Sequence, residues 1–278
     1  MNQISHPKDY FELIEQIDFI ANRLDLKIHP QCRIKKFEKQ LNKFLSPKYN
    51  PWKDSNFNWQ YFFEGIRDII EICFICQQFS EKFPIKLKNT WDILMGGKPT
   101  PESDNNTHPR NIQFQLYFTS KLLENRFEVE IEEPDILFSH QQKKFGIAVK
   151  RLKSERKVKE RVKEGVKQIE KSGQPGLVAI SFDQLIQAKG WETIPSNYIF
   201  NKSIAMKILD KTLLKYENII LGQLKNHCIG YIGFLKVFFV KENSTEIIID
   251  SAEKWVAKEN DDGSSFDFIK SICNRISK

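Results

Sequence analysis

Pro134-Asp-Ile-Leu-Phe138 and Phe145-Gly-Ile-Ala-Val-Lys150, joined by the polar stretch Ser139 to Lys144, read as two neighbouring strands of a β-hairpin. Side chains two residues apart share a strand face. Phe127, Val129, Ile131, Glu133 and Asp135 therefore fall on one face of the first strand. On the second, Phe145, Ile147 and Val149 form the apolar, core-facing set, while Gly146, Ala148 and Lys150 share the opposite face. This pairing puts Asp135 and Lys150 side by side across the ladder.

The segment after the hairpin decides the fold class. Val158, Val162, Val166 and Ile169 recur at helical spacing and predict a helix over 155–171 with one narrow apolar stripe. Gly173 and Pro175 end it, and Gly176 to Phe182 is an apolar strand. A strand, helix, strand unit of this kind implies an α/β fold. From Lys143 to Lys171 twelve basic residues stand against four acidic ones, a local net charge of +8, whereas the whole chain is formally +7. This unit therefore holds the entire basic excess. Lys143, Lys144, Arg151, Lys153, Arg156, Lys157, Arg161 and Lys163 are its candidate contacts to a phosphate backbone, with double-stranded DNA the leading expectation. The plainer alternative is a solvated helix laced with Glu and Lys pairs.

A carboxylate such as Asp135 can hold Mg²⁺ or Mn²⁺ through oxygen ligands, and a lysine beside it can orient the attacking water and offset phosphate charge. The bland reading is an ordinary hairpin with an exposed Asp and Lys.

On these residues the stretch from Arg110 to Asp183 resembles the PD-(D/E)XK superfamily, the restriction-endonuclease-like nucleases. The resemblance implies a restriction-endonuclease-like core, a central mixed β-sheet flanked by helices. It makes Asp135 a metal ligand and places Ala148-Val149-Lys150 at the (D/E)XK triplet, with Lys150 as its lysine. Gln168 on the following helix looks like the glutamine some members direct at the site or substrate. The activity implied is metal-dependent DNA endonuclease cleavage in prokaryotic restriction or anti-phage defence, with a homodimer or a defence-system protein as partner. The alternative is an inactive nuclease-like module that binds nucleic acid or a protein.

The chain departs from this pattern twice. Ala148 stands where a second acidic residue belongs, and in the first core helix, from Arg110, Gln113 and Gln115 stand where a glutamate is often found. Three readings of Ala148 stay open. A migrated carboxylate could replace it, with Glu133 ahead of Glu124 and Glu132, making Asp135 and Glu133 the metal pair. Catalysis could have been lost from a binding module. Or the alanine could be an introduced substitution, since Ile-Glu-Val-Lys would complete the triplet.

The remaining sequence sets the frame. The chain has 278 residues, 40% of them hydrophobic, with 22 Phe and 5 Trp, ample for a large core. Residues 1–95 read as a helical N-terminal region, with Tyr10, Leu13, Ile14 and Ile17, then Ile34, Phe37, Leu41 and Phe44, at helical spacing, and a third helix over 59–79. The Trp and Pro residues of the loop 46–58 invite a stacking role but fit core packing better. Residues 96–109, rich in Gly, Pro, Asn and Thr, read as a linker to a nuclease-like domain over 110–278. Gly96-Gly-Lys98 lacks P-loop spacing, and Pro99 comes directly after it. Beyond Asp183 the spacing predicts a helix over 202–226, strands over 228–241 and 245–249, and a helix near 266–276. Five cysteines at irregular spacing suit reduced thiols, and the Cys73/Cys76 pair lies in an apolar helix rather than at a zinc site. Met1 to Tyr10 is polar, and the run Cys228 to Val240 is too short to span a bilayer. A cytoplasmic protein with no membrane segment is expected.

Overall fold

The computed structural model describes residues 2–5, 8–98, 106–187, 192–194, 203–241, 244, 246–258 and 264–276. Residues 99–105 of the expected linker, residue 202 and the turn residues 242 and 243 lie outside the described residues.

In chain order the elements are β1 (Asn2–Ser5), α1 (Asp9–Arg23), α2 (Arg33–Phe44), α3 (Trp59–Lys82), α4 (Pro84–Met95), α5 (His108–Glu124), β2 (Glu128–Glu130), β3 (Ile136–His140), β4 (Lys143–Arg151), α6 (Val158–Ser172), β5 (Gly176–Ser181), α7 (Asp183–Gln187), β6 (Glu192–Ile194), α8 (Ile204–Leu221), β7 (Cys228–Lys241), β8 (Ile247–Ala257) and α9 (Ser264–Ile276). The protein is α/β. Among the described residues eight strands form one mixed sheet in the order β1-β8-β7-β5-β4-β3-β2, with β6 on β7. The central trio β4, β5 and β7 is parallel, as is β6 on β7, whereas β3 on β4 and β8 on β7 are antiparallel. No helix of the described residues is long and apolar enough to cross a membrane.

The hairpin forms, with a tighter turn than the sequence implied. His140 pairs with Lys143, so only Gln141 and Gln142 make the turn, both at positive φ. Two left-handed residues give the turn a twist that matches the strands it joins.

Helices cover both faces of the sheet, which overturns the expectation of a single core-facing side for β4. Ile147 and Val149 join the core beneath α1 to α5, with Phe37, Phe62, Ile72 and Leu116. Ala148 joins the core beneath α6 and α8, with Val162, Val178, Leu209 and Leu213. Parallel strands between two helical layers read as apolar runs for this reason, and β5 is buried at every position. The helices of residues 1–95 share one core with the sheet rather than enclosing a separate one.

Between those helices and the sheet lies a cluster of charge with almost no exposure. Arg33, Arg67, Arg110, Arg151 and Lys236 meet Glu64, Asp68, Glu71 and Asp183 there, five cations and four carboxylates among the described residues. α3 supplies Glu64, Arg67, Asp68 and Glu71 from one helical face. Arg67 pairs with Glu64 at 2.5 Å, Arg33 and Arg110 with Asp68 at 2.8 and 3.1 Å, and Arg151 and Lys236 with Glu71 at 3.0 and 3.2 Å. Stripping water from each ion alone costs several kcal/mol, so such a cluster survives only as a connected set. Burial pushes the Glu71 carboxyl upward, but Lys236, Arg151 and Arg67 outweigh it and hold it at about 2.

A depressed carboxylate contributes stability above its unfolded pKa and loses it as pH falls through the folded value. For Glu71 the loss runs from pH 4.5 down to about 2 and amounts to roughly 3 kcal/mol. Urea midpoints measured across this window should fall less steeply for Glu71→Gln than for the parent chain. Parallel slopes would remove Glu71 as a source of acid sensitivity.

Candidate functional site

Asp135 stands immediately before β3, one residue beyond the last rung of the hairpin. That rung pairs Ile136 with Ile147, so Asp135 comes level with Ala148 and within reach of Lys150. The approach depends on Gly146, because a Cβ there would lie 2.7 Å from the Pro134 ring. Glycine lets Pro134 lie on β4, and Pro134 delivers Asp135 to the strand end.

Three side chains close on one another at this point. Asp135 Oδ2 accepts from the Val149 N–H at 2.7 Å and from Lys150 Nζ at 3.2 Å. Its Oδ1 accepts from Gln168 Nε2 at 3.2 Å. Gln168 also donates to the Pro134 carbonyl at 2.7 Å, and its Oε1 accepts from Lys150. Asp135, Lys150 and Gln168, chosen from the sequence, are therefore brought together. Their side chains are 22% exposed for Asp135 and 12% for Lys150. Burial raises the Asp135 carboxyl above its ordinary value, against the opposing pull of Lys150 and the Val149 N–H.

Asp135 and Lys150 line an open cleft of ≈ 210 Å³ between α5 and the end of the hairpin, together with Arg161. His108, Asn111 and Gln115, at helical spacing on α5, line its other wall. Gln115 Nε2 donates to the Asp135 carbonyl at 2.8 Å, whereas Gln113 is buried and donates to Glu71. Sequence reading marked Gln115 only as the place of a missing glutamate. The recurrence of polar residues at 108, 111 and 115 was the available sign of a cleft-lining face.

Glu133 does not join the site. The expected continuous strand over 127–135 is broken between β2 and β3, so Glu133 and Asp135 share no strand face. Glu133 is 48% exposed and its ion-pair partner is Lys171, at 3.9 Å. Glu124 and Glu132 are likewise exposed. Mg²⁺ prefers about six oxygen ligands in octahedral array. Here the donor set is one carboxylate whose two oxygens already accept from Val149, Lys150 and Gln168. Among the described residues no group of three or more His, Cys, Asp or Glu is placed to hold a metal ion. The described residues around Asp135 do not by themselves fit a Mg²⁺ or Mn²⁺ centre.

Packing accounts for Ala148. Its side chain is 0% exposed, and a Cβ added at Gly165 of α6 would lie 3.5 Å from the Ala148 methyl and 2.9 Å from Val178. The α6 backbone thus rests directly on β4 and β5. A carboxylate at 148 would sit under that helix.

The basic candidates separate into classes. Arg151 is buried in the ion cluster, bound to Glu71 and the Arg110 carbonyl, and offers nothing to a phosphate chain. Lys144 pairs with Glu130, Lys157 with Glu160 and Arg161 with Glu164, as the solvated-helix alternative anticipated. Lys143 and Lys153 are exposed. Arg156, Lys159, Lys163 and Lys167 are exposed too and have no ion-pair partner among the described residues.

Ala148→Glu should cost about 2–4 kcal/mol, as a buried charge or a displaced helix, and should confer no cleavage of duplex DNA in Mg²⁺ or Mn²⁺. Urea unfolding and a nicking assay check both halves. A variant as stable as the parent, or one that cuts, would show that α6 leaves room for the acid.

Compared with protein-family models, curated proteins and solved structures, the chain matches none, so the reading of the cleft rests on its own residues.

Proposed function

We propose that the chain is a restriction-endonuclease-like module that grips the backbone of duplex DNA through the outward face of α6, without a metal-dependent cleavage site of its own. The nuclease-like reading is supported by the succession α5, the antiparallel β2-β3-β4, α6 and β5, with Asp135, Lys150 and Gln168 meeting at the strand end. The binding reading is carried by one observation, the stripe Arg156, Lys159, Lys163 and Lys167. Arg156 lies in the short 3-10 turn that leads into α6, and Lys159, Lys163 and Lys167 follow on α6 itself, so that the four cations, spaced by three or four residues, line one side of this helical stretch over about 16 Å. That length matches roughly five phosphates of one strand. Exposed cations without acidic partners are the groups that gain most by replacing condensed counterions. Duplex rather than single-stranded DNA is favoured because the stripe carries no aromatic residue on which bases would stack.

Four phosphate contacts imply a slope of about −3 to −4 in log K against log salt. Fluorescence anisotropy with a labelled duplex should show this dependence. Replacing Arg156, Lys159, Lys163 and Lys167 together with alanine should weaken binding of every duplex sequence and remove about three units of slope. An unchanged slope would sink the assignment.

A second reading, phosphodiester cleavage, is favoured by the intact Asp135, Lys150 and Gln168 contact. A plasmid-nicking assay in Mg²⁺ and in Mn²⁺ separates the two. The binding-module reading expects the parent chain and Asp135→Ala to be equally inert. Turnover by the parent that Asp135→Ala abolishes would establish the nuclease instead.

A further inference from the structure

α8 lies on the same side of the sheet as α6, and Leu209 and Leu213 of α8 share one apolar core with Val162 and Val166 of α6. Three lysines, Lys207, Lys211 and Lys215, recur on α8 every four residues and form one exposed row along it. Lys215 Nζ donates to the Glu155 carboxylate at 2.6 Å. That contact joins the row of α8 to the start of the helical stretch that carries Arg156, Lys159, Lys163 and Lys167.

The two helices run in the same direction but do not start level. β4 ends beside Ser181, where the Leu152 N–H donates to the Ser181 carbonyl at 3.0 Å, and Ser181 pairs with Phe234 of β7. α8 starts on Asp250, which accepts from the Ala205 N–H at 2.8 Å and pairs with Val237, three residues further along β7. At about 3.3 Å per strand residue, α8 begins roughly 10 Å beyond the strand end from which the chain enters α6. Lys211 and Lys207 precede Lys215 by about 6 and 12 Å along the helix axis, so they project past the N-terminal end of α6. The α6 stripe of about 16 Å and the α8 row of about 12 Å therefore follow one another over about 28 Å.

The charge of the α8 row is not cancelled from within its own helix. Lys207 and Lys211 have no ion-pair partner among the described residues. Asp210, the acid between them in sequence, is bound by Lys254 of β8 at 2.7 Å, and Glu155 is taken by Lys215. A row of separated cations suits an extended polyanion, because each lysine can replace condensed counterions at a different phosphate.

We propose that the DNA-binding surface continues from α6 onto α8, with Lys207 and Lys211 on phosphates of the same duplex and a footprint of about eight base pairs. This extension rests on the DNA-binding reading of α6 and adds to it a second helix and a length.

Fluorescence anisotropy of the full chain with labelled DNA hairpins tests it. On a stem of about twelve base pairs the parent should show a slope of about −5 in log K against log salt, the sum over six contacts. The double variant Lys207→Ala, Lys211→Ala should lose about two units of slope and bind at least about tenfold more weakly near 0.1 M salt. On a stem of about five base pairs, long enough for only one of the two rows, it should bind much as the parent does. Alanine keeps α8 helical, and Lys39→Ala with Lys88→Ala removes the same charge elsewhere and should leave the slope in place. The extension is overturned if the α8 variant keeps the parent's slope while the α6 variant loses its own share, an outcome that leaves the α6 reading standing. Unchanged slopes in both variants overturn the α6 reading and the extension together. Equal loss in the control pair, or polyglutamate bound as tightly as the long stem and weakened by the same α8 substitutions, also overturns it, the last in favour of an acidic polypeptide.

Discussion

The buried charge cluster around Glu71 holds the parts of this protein in relation to one another. α2 contributes Arg33, α3 four residues, α5 Arg110, β4 Arg151 and β7 Lys236, while Asp183 lies just after β5. Each ion is tolerable in the interior only while its partners stay in place, so the cluster penalises sliding of any one element. Its consequence for the cleft is direct. Arg151 is the next residue after Lys150 on β4, and Gln113 precedes Gln115 by two residues on α5, so anchoring Arg151 and Gln113 on Glu71 sets how α5 meets the hairpin end. With that spacing set, Gln115 reaches the Asp135 carbonyl.

On the other side of the sheet, contact distance governs chemistry. Gly165 brings α6 down onto Ala148 and Val178, and this close approach lets Gln168, one turn further along, reach Asp135 and Lys150. The alanine that breaks the expected acidic pattern and the glutamine that completes the polar contact both result from the same seated helix. The resulting site is neutralised from within, since the Asp135 charge is met by Lys150 and by two further N–H donors. The free positive charge lies instead on the outer surface of α6.

Much of this was legible in the chain. Period-two alternation located the hairpin and set Asp135 beside Lys150, period 3.6 located α6, and the resemblance to the PD-(D/E)XK superfamily added Gln168. Periodicity reports which residues share a face, but it does not report what covers that face. Ala148 and Gly146 looked like an exposed side because they are small, when they are small in order to admit α6 and Pro134. Arg151 looked like part of a basic patch because its neighbours are basic, yet it points into the opposite core from α6. Glu133 looked aligned with Asp135 because a strand was read through Pro134, where the chain turns. The cluster itself left a trace in the sequence, charged residues at 64, 67, 68 and 71 within an apolar helix, and Lys236 within an apolar strand.

The sequence by itself determined the α/β class, the strand, helix, strand unit behind the hairpin and the concentration of basic residues in it, because these depend on short-range spacing and composition. Tertiary structure alone decided which of those charges are paired, which are buried, and that no second carboxylate among the described residues reaches Asp135. Those outcomes depend on elements far apart in the chain, α3 against β4 and β7, α6 against β4, and on contact distances that no local pattern encodes.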